Sequence, residues 1–167
     1  MGIRRRNKKG GLCTKKSVNE SIITSPVTGS LKALEDIGDP VFSTKMMGDG
    51  IVIIPEEGKV CAPADGEVIV IPPTKHAIGF RTASGMEILV HVGLDSEKIE
   101  NEFKVKVKEG DQVQRGDVVM TFNLKRLQDK GVRLDTPVII TNGAGASEFV
   151  KTQQRHVNTG DNLIAII

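Results

Sequence analysis

The sequence predicts an all-β fold, a compact antiparallel β-sandwich with internally similar halves and one or two short helices. Three observations point there. From Ile22 onward, short apolar or alternating runs are closed by Gly, Pro or Asp about every eight to twelve residues, the spacing of a sandwich or barrel. Tryptophan and tyrosine are absent, so the core must rest on Val, Ile and Leu, which favour strands. Turn motifs also recur in pairs: Ser25-Pro26-Val27-Thr28-Gly29 echoes Ala62-Pro63-Ala64-Asp65-Gly66, and Val113-Gln114-Arg115-Gly116-Asp117 echoes Val157-Asn158-Thr159-Gly160-Asp161.

In chain order, the first expected strand is Ile51 to Ile54, an apolar run between Gly50 and Pro55, followed by Val60 to Ala62, which stops at Pro63. Glu67 to Ile71 lies between Gly66 and Pro72; Gly79 to Thr82 and Glu87 to His91 flank Ser84-Gly85 as a hairpin would. Phe103 to Val107 alternates apolar residues with lysines, Val118 to Phe122 follows Gly116-Asp117, Val138 to Thr141 ends at Asn142-Gly143, and Leu163 to Ile167 closes the chain. Only Leu124 to Lys130, with Asn123 as its cap, reads clearly as a helix. In each Pro-x-x-Gly the proline presets a turn and the glycine permits positive φ before the next strand; the Val-x-x-Gly-Asp pieces read as tight turns without catalytic meaning.

The 167 residues fit a basic, disordered tail over 1–20 and one domain over 21–167. With 38% apolar and 26% charged residues, a soluble globular protein is expected. Cys13 and Cys61 lie in unlike settings, which argues against a disulfide framework. No apolar run is long enough to span a bilayer and the N-terminus lacks a signal-peptide core, so a cytoplasmic location is expected. The net charge of +2 hides an asymmetry, because Arg4, Arg5, Arg6, Lys8, Lys9, Lys15 and Lys16 crowd the tail. Weak electrostatic contact of that tail with an anionic membrane is expected, and no nucleic-acid partner. Arg6 stands where a myristoylation signal would need Ser or Thr.

The chemistry concentrates on His76, in Thr-Lys-His-Ala, and His91, in Leu-Val-His-Val-Gly-Leu-Asp, each in a strand-like run. A hairpin between the runs would bring the rings together, and two facing imidazoles with no cysteine cluster or serine motif suit phosphoryl carriage or metal binding. A zinc peptidase is the main rival, since His91-x-x-x-Asp95 matches part of such a pattern; a catalytic zinc wants three protein ligands, and no His-x-His completes the set. A purely regulatory binding module on a related β fold is a third class. Biotin carriage would need Met-Lys-Met, whereas this chain has Lys45-Met46-Met47. His156 has no such context and is expected to be structural or at the surface.

The order of segments is more specific. Pro26-Val27-Thr28-Gly29, Val41-Phe42-Ser43-Thr44-Lys45-Met46-Met47-Gly48-Asp49-Gly50, Ala62-Pro63-Ala64-Asp65-Gly66, Thr74-Lys75-His76-Ala77 and Val90-His91-Val92-Gly93-Leu94-Asp95 together resemble the glucose-type enzyme IIA components of the bacterial phosphoenolpyruvate-dependent sugar phosphotransferase system. The likeness runs from about Ile22 to the C-terminus. It implies an antiparallel sandwich that takes a phosphoryl group from the histidine-containing phosphocarrier protein and donates it to a cysteine of an enzyme IIB domain of a sugar permease, with no cofactor and no metal. His91 matches the phosphorylated histidine, His76 the second histidine that contacts the bound phosphoryl group, and Thr74 the threonine hydrogen-bonded to that second ring. Asp39 and Asp95 match acidic positions beside the site, and Val41, Phe42, Met46 and Met47 an apolar rim that receives partner proteins. Leu89 and Val92 stand where aromatic residues are frequent, and Pro72-Pro73 before Thr74 is a further departure.

The relay chemistry stands without the family. A neutral imidazole nitrogen is nucleophilic near pH 7 and its phosphoramidate passes the group onward, where a serine ester would trap it. In-line transfer spreads charge over the phosphoryl oxygens and calls for donors; His76, oriented by Thr74, and backbone amides near Gly93 are the expected ones. Carboxylates at the rim would receive basic residues of a donor protein.

Overall fold

The computed structural model describes residues 21–94 and 101–167; the basic tail and Asp95 lie outside the described residues. Strands β1 (Ile22–Thr24) and β2 (Gly29–Ala33) lead into a 3-10 turn (Leu34–Asp36) and a short helix α1 (Pro40–Ser43). Then come β3 (Asp49–Pro55), β4 (Lys59–Cys61), β5 (Gly66–Val70), β6 (Ala77–Arg81), β7 (Glu87–His91), β8 (Phe103–Val105), β9 (Gln112–Val113) and β10 (Val118–Phe122). Helix α2 (Leu124–Asp129) precedes β11 (Thr136–Asn142), β12 (Phe149–Lys151), β13 (His156–Val157) and β14 (Asn162–Ile166). An eight-stranded sheet runs β13-β2-β3-β11-β7-β6-β5-β9, with three-stranded sheets β1-β14-β12 and β4-β10-β8. Every pairing is antiparallel.

All the expected strands form, β7 and β10 with the expected ends and the others with shifted ones. The unforeseen ones are β1, β2, β9, β12 and β13; β9 and β13 have two residues each, too few to show a period. Asn123 caps α2 as expected, its Oδ1 accepting the Arg126 N–H at 3.0 Å. Helix α1 was not foreseen, because four residues carry no amphipathic pattern. Its signal is local: Asp39 at the cap, whose Oδ1 accepts the Val41 N–H at 2.9 Å, followed by Pro40 in the first turn.

The paired turn motifs are a structural repeat. Thr24 N–H donates to the Pro63 carbonyl at 3.0 Å, and Cys61 N–H donates back to the Pro26 carbonyl at 2.8 Å. Ser25 N–H donates to the Asp161 carbonyl as Ala62 N–H does to that of Asp117, and Gly160 N–H reaches Ser25 as Gly116 N–H reaches Ala62. Asp117 and Asp161 each close their turn through Oδ2, at 2.8 Å from the Gln114 and Asn158 amides. The ends of the large sheet match too, Val157 facing Gly29 on one edge and Val113 facing Gly66 on the other. Gly116 and Gly160 take φ of 91° and 95°, as tight turns require. Gly29 and Gly66 do not use the positive φ that glycine permits. They are glycine because a Cβ would meet the Ile54 carbonyl oxygen at 2.0 Å and the Arg81 carbonyl oxygen at 2.3 Å.

The central strands are covered on both faces. On one face Ile51, Ile53, Ile88, Val90, Val138 and Ile140 join the main core with Met120, Phe122 and Leu127. On the other Val52 and Ile139 pack with Leu34, Ile37 and Phe42, and with half-buried Leu89. Burying a side chain such as Phe42 contributes about 1.5–3 kcal/mol. That second layer brings α1 to the C-terminal end of β7.

Candidate functional site

His91 is the last residue of β7 and faces Ala77 across the ladder, so His76 lies just before β6 and beside it. Val92 N–H donates to the His76 carbonyl at 2.8 Å, which fixes the two chain ends. The rings meet at 84° with centroids 4.5 Å apart, and His76 Nε2 lies 3.1 Å from His91 Nε2. Thr74 Oγ1 lies 2.5 Å from His76 Nδ1. Lys75 N–H donates to the Pro72 carbonyl at 2.8 Å, closing a turn with Pro73 second, a position where its fixed φ suits the turn. The Pro72-Pro73 pair thus builds the platform that presents Thr74.

One arrangement of the protons satisfies both side-chain contacts. His91 Nδ1 is buried without a hydrogen-bond partner in normal geometry, yet the Gly93 and His91 backbones favour a proton on the ring. A proton on Nδ1 leaves the lone pair on Nε2, facing His76. His76 Nε2–H then donates to His91 Nε2, and the Thr74 hydroxyl donates to His76 Nδ1.

Both rings resist protonation. Burial, then the neighbouring charge of His76, pushes His91 down to about 4, against the pull of the Gly93 backbone and the Asp39 carboxylate. Burial also lowers His76. His76 exposes only 7% of its surface, but the cost of charging depends on all the low-dielectric matter around a ring, so the larger shift belongs to His91. Near pH 7 the pair is neutral, with the two Nε2 atoms facing each other between the rings.

The surroundings separate into support and rim. Val41, Met46 and Met47 are 47%, 79% and 37% exposed. Phe42 departs from the expected rim: it is 6% exposed and packs edge-on against His91, with centroids 5.2 Å apart. It is a strut beneath the His91 ring. Asp39 holds the start of α1 and lies within the electrostatic reach of His91. Lys45 adopts φ of 61° and pairs with Glu35 at 3.4 Å and Asp49 at 3.5 Å, while Asp49 also takes Lys151 at 2.7 Å, so the turn bearing the methionines is anchored to β3 and β12.

The amides near Gly93 are not free donors, contrary to expectation. Gly93 N–H is committed to the Asp135 carbonyl at 3.1 Å and Leu94 N–H to the Arg133 carbonyl at 3.2 Å. Arg133 Nη2 also donates to the Ile37 carbonyl at 2.7 Å and to Asp135 Oδ2 at 2.8 Å, joining the loop after His91 to the one before Asp39. No local pattern announces this link, since its partners are far apart in the chain. His156 pairs at the surface with Glu56 at 2.9 Å. Among the described residues no group of three or more His, Cys, Asp or Glu could hold a metal ion, and no helix is long and apolar enough to cross a membrane.

A family model described as phosphoenolpyruvate-dependent sugar phosphotransferase system, EIIA 1, matches residues 21–146. The glucose-specific EIIA component of Bacillus cereus is 46% identical over 135 residues, covering 80% of this chain and 81% of that one. The glucosamine-specific EIICBA component of Bacillus subtilis is 51% identical over 118 residues, which cover 70% of this chain and 19% of that longer protein. Among solved structures, glucose permease IIA from Mycoplasma capricolum superposes with a TM-score of 0.80 at 34% identity, covering 86% of this chain and 93% of that one.

Proposed function

Since the chain belongs to the EIIA 1 family of the phosphoenolpyruvate-dependent sugar phosphotransferase system, and is therefore a phosphoryl-transferring component of it, we propose that the group is carried on Nε2 of His91. The observation that carries this reading is the 3.1 Å approach of the two Nε2 atoms, with Thr74 on the far side of His76. In the first transfer the bond from phosphorus to the donor's histidine nitrogen breaks, and a bond to the His91 Nε2 lone pair forms. The His76 Nε2–H, released from that lone pair, turns to a phosphoryl oxygen and stabilises the charge that develops there. In the second, a partner thiolate attacks phosphorus, the bond to His91 breaks, and the electron pair returns to Nε2 to accept the His76 proton again. No cofactor enters either step.

The donor is the histidine-containing phosphocarrier protein and the acceptor a cysteine of an enzyme IIB domain of a sugar permease, a reading supported by the relative that joins EIIA to EIIC and EIIB. Both partners dock on exposed Val41, Met46 and Met47, where methionines adapt to unlike surfaces, and Asp39 steers basic residues of the donor. The relay works in the cytoplasm. Incubation with enzyme I, the phosphocarrier protein and phosphoenolpyruvate should add one acid-labile phosphoryl group, located on His91 by mass spectrometry. An unmodified mass where a control enzyme IIA is phosphorylated, or a stable ester on Ser or Thr, would overturn the assignment.

A further inference from the structure

Among the described residues four non-glycines hold a left-handed backbone: Lys45, Lys75, Asn101 and Ala144. Asparagine tolerates that region, and Ala144 sits in a turn between glycines. The two lysines are the unusual cases, and both lie in segments that build the phosphoryl site. Lys45 is held by ion pairs with Glu35 and Asp49. Lys75 is exposed and makes no ion pair among the described residues, so no ion pair accounts for its φ of 61°. What its backbone does is visible in its neighbours. Thr74 is an inner residue of the turn closed by the Lys75 N–H, and the reversal at Lys75 sets Thr74 Oγ1 against Nδ1 of the ring two residues later. In an extended chain, residues two apart stand about 6.6 Å apart along the strand, whereas the reversal at Lys75 brings the Thr74 hydroxyl to hydrogen-bond distance of the ring.

Resting on the assignment of His91 as carrier, we infer that Lys75 is a positioning residue acting through its backbone: its left-handed conformation folds Thr74 back onto His76, and so fixes the proton of His76 on Nε2, facing the phosphoryl group. The side chain is dispensable for this purpose; the conformation is not. A residue that enters the left-handed region easily should preserve the device. A β-branched residue, for which that region is a genuine outlier, should break it.

The test compares Lys75→Gly and Lys75→Asn with Lys75→Val, and with Lys75→Ala as a milder form should the valine protein fold poorly. Nitrogen-15 imidazole shifts should report His76 protonated on Nε2 in the parent, glycine and asparagine proteins, and a mixture of tautomers in the valine protein. Onward transfer to an enzyme IIB domain should keep its kcat within about twofold in the glycine and asparagine proteins and fall roughly tenfold or more in the valine protein, with alanine between and KM nearly constant. An unchanged His76 tautomer and parent-like kcat in Lys75→Val would overturn the inference. Equal losses of kcat in Gly, Asn and Val would also overturn it, because the ammonium group would then be the part in use. Failure of the parent protein itself to take phosphate on His91 would instead refute the carrier assignment, while the tautomer comparison would still judge Lys75.

Discussion

At the scale of single residues the proposed relay divides the two histidines by role. The nucleophile has no substitute, so His91→Ala should take up no phosphate. His76→Gln keeps an amide donor near the phosphoryl oxygens and should still be phosphorylated, with onward transfer roughly ten- to a thousandfold slower. Phosphate on the His91→Ala protein but not on His76→Gln would exchange the roles. The depressed His91 pKa adds a pH signature. Its folded value of about 4 lies below the unfolded value near 6.5, so the unfolded chain binds the extra proton first. The contribution to stability is therefore complete above about pH 6.5 and is lost as pH falls toward 4, at up to about 1.4 kcal/mol per pH unit for this proton. His76 acts in the same direction. An NMR titration should find His91 still neutral at about pH 5.5, and urea unfolding of His91→Ala should show a shallower acid slope. A midpoint at or above the ordinary imidazole value would contradict the burial described for this ring. The histidines were legible in the sequence because strand runs and flanking motifs mark them. The closure of the Gly93 amide was not, because it depends on where β11 happens to pack.

At the scale of elements, α1 and the turn that follows it have different duties. Phe42→Ala should destabilise the protein by about 3 kcal/mol, since it empties a buried site, and should loosen the His91 ring that it supports. Met46→Asp changes a residue 79% exposed, so stability should move by no more than about 0.5 kcal/mol. Its effect should appear as a KM for the phosphocarrier protein raised about tenfold, with kcat little changed. Denaturant curves and transfer kinetics on both variants separate the duties; a stable Phe42→Ala protein with a raised KM would return Phe42 to the rim. The family resemblance grouped Phe42 with Val41 in one apolar rim, and a run of letters does not display which way each side chain turns. Only the short helix turns one residue inward and its neighbour outward. The anchoring of Lys45 to Glu35 and Asp49 escaped for a related reason, as it needs the 3-10 turn laid over β3.

At the scale of the whole molecule, the alternation of apolar runs and turn residues was enough to expose the sandwich and its longer strands except β2, whereas β9 and β13 exist only because their partners β5 and β2 present edges to them. The internal echo was also legible, though the reason for Gly29 and Gly66 was not, since a clash with a neighbouring strand is invisible in one dimension. The tail of residues 1–20 yields an expectation from charge alone. Each Lys or Arg near an anionic surface contributes about 1 kcal/mol, screened within a Debye length. Vesicle sedimentation should show weak, salt-sensitive binding that disappears when residues 1–16 are deleted; equal binding by both forms would remove the tail from any membrane role.

The exchange of hydrogen bonds between Thr24 and Pro63 on one side and Cys61 and Pro26 on the other makes each repeat the keeper of its twin. Neither half can satisfy its own turn, so opening one strands the polar groups of the other in a dry interior. Unfolding should accordingly be cooperative across the seam. The amides of Thr24 and Cys61, though in different sheets and 37 positions apart in the chain, should exchange with deuterium at one common, global rate, with no sub-global opening that frees either alone. A protein that loads and unloads a reactive phosphoryl group many times over thus has a frame without a weak half, in which breathing at one end cannot be bought without dissolving the other.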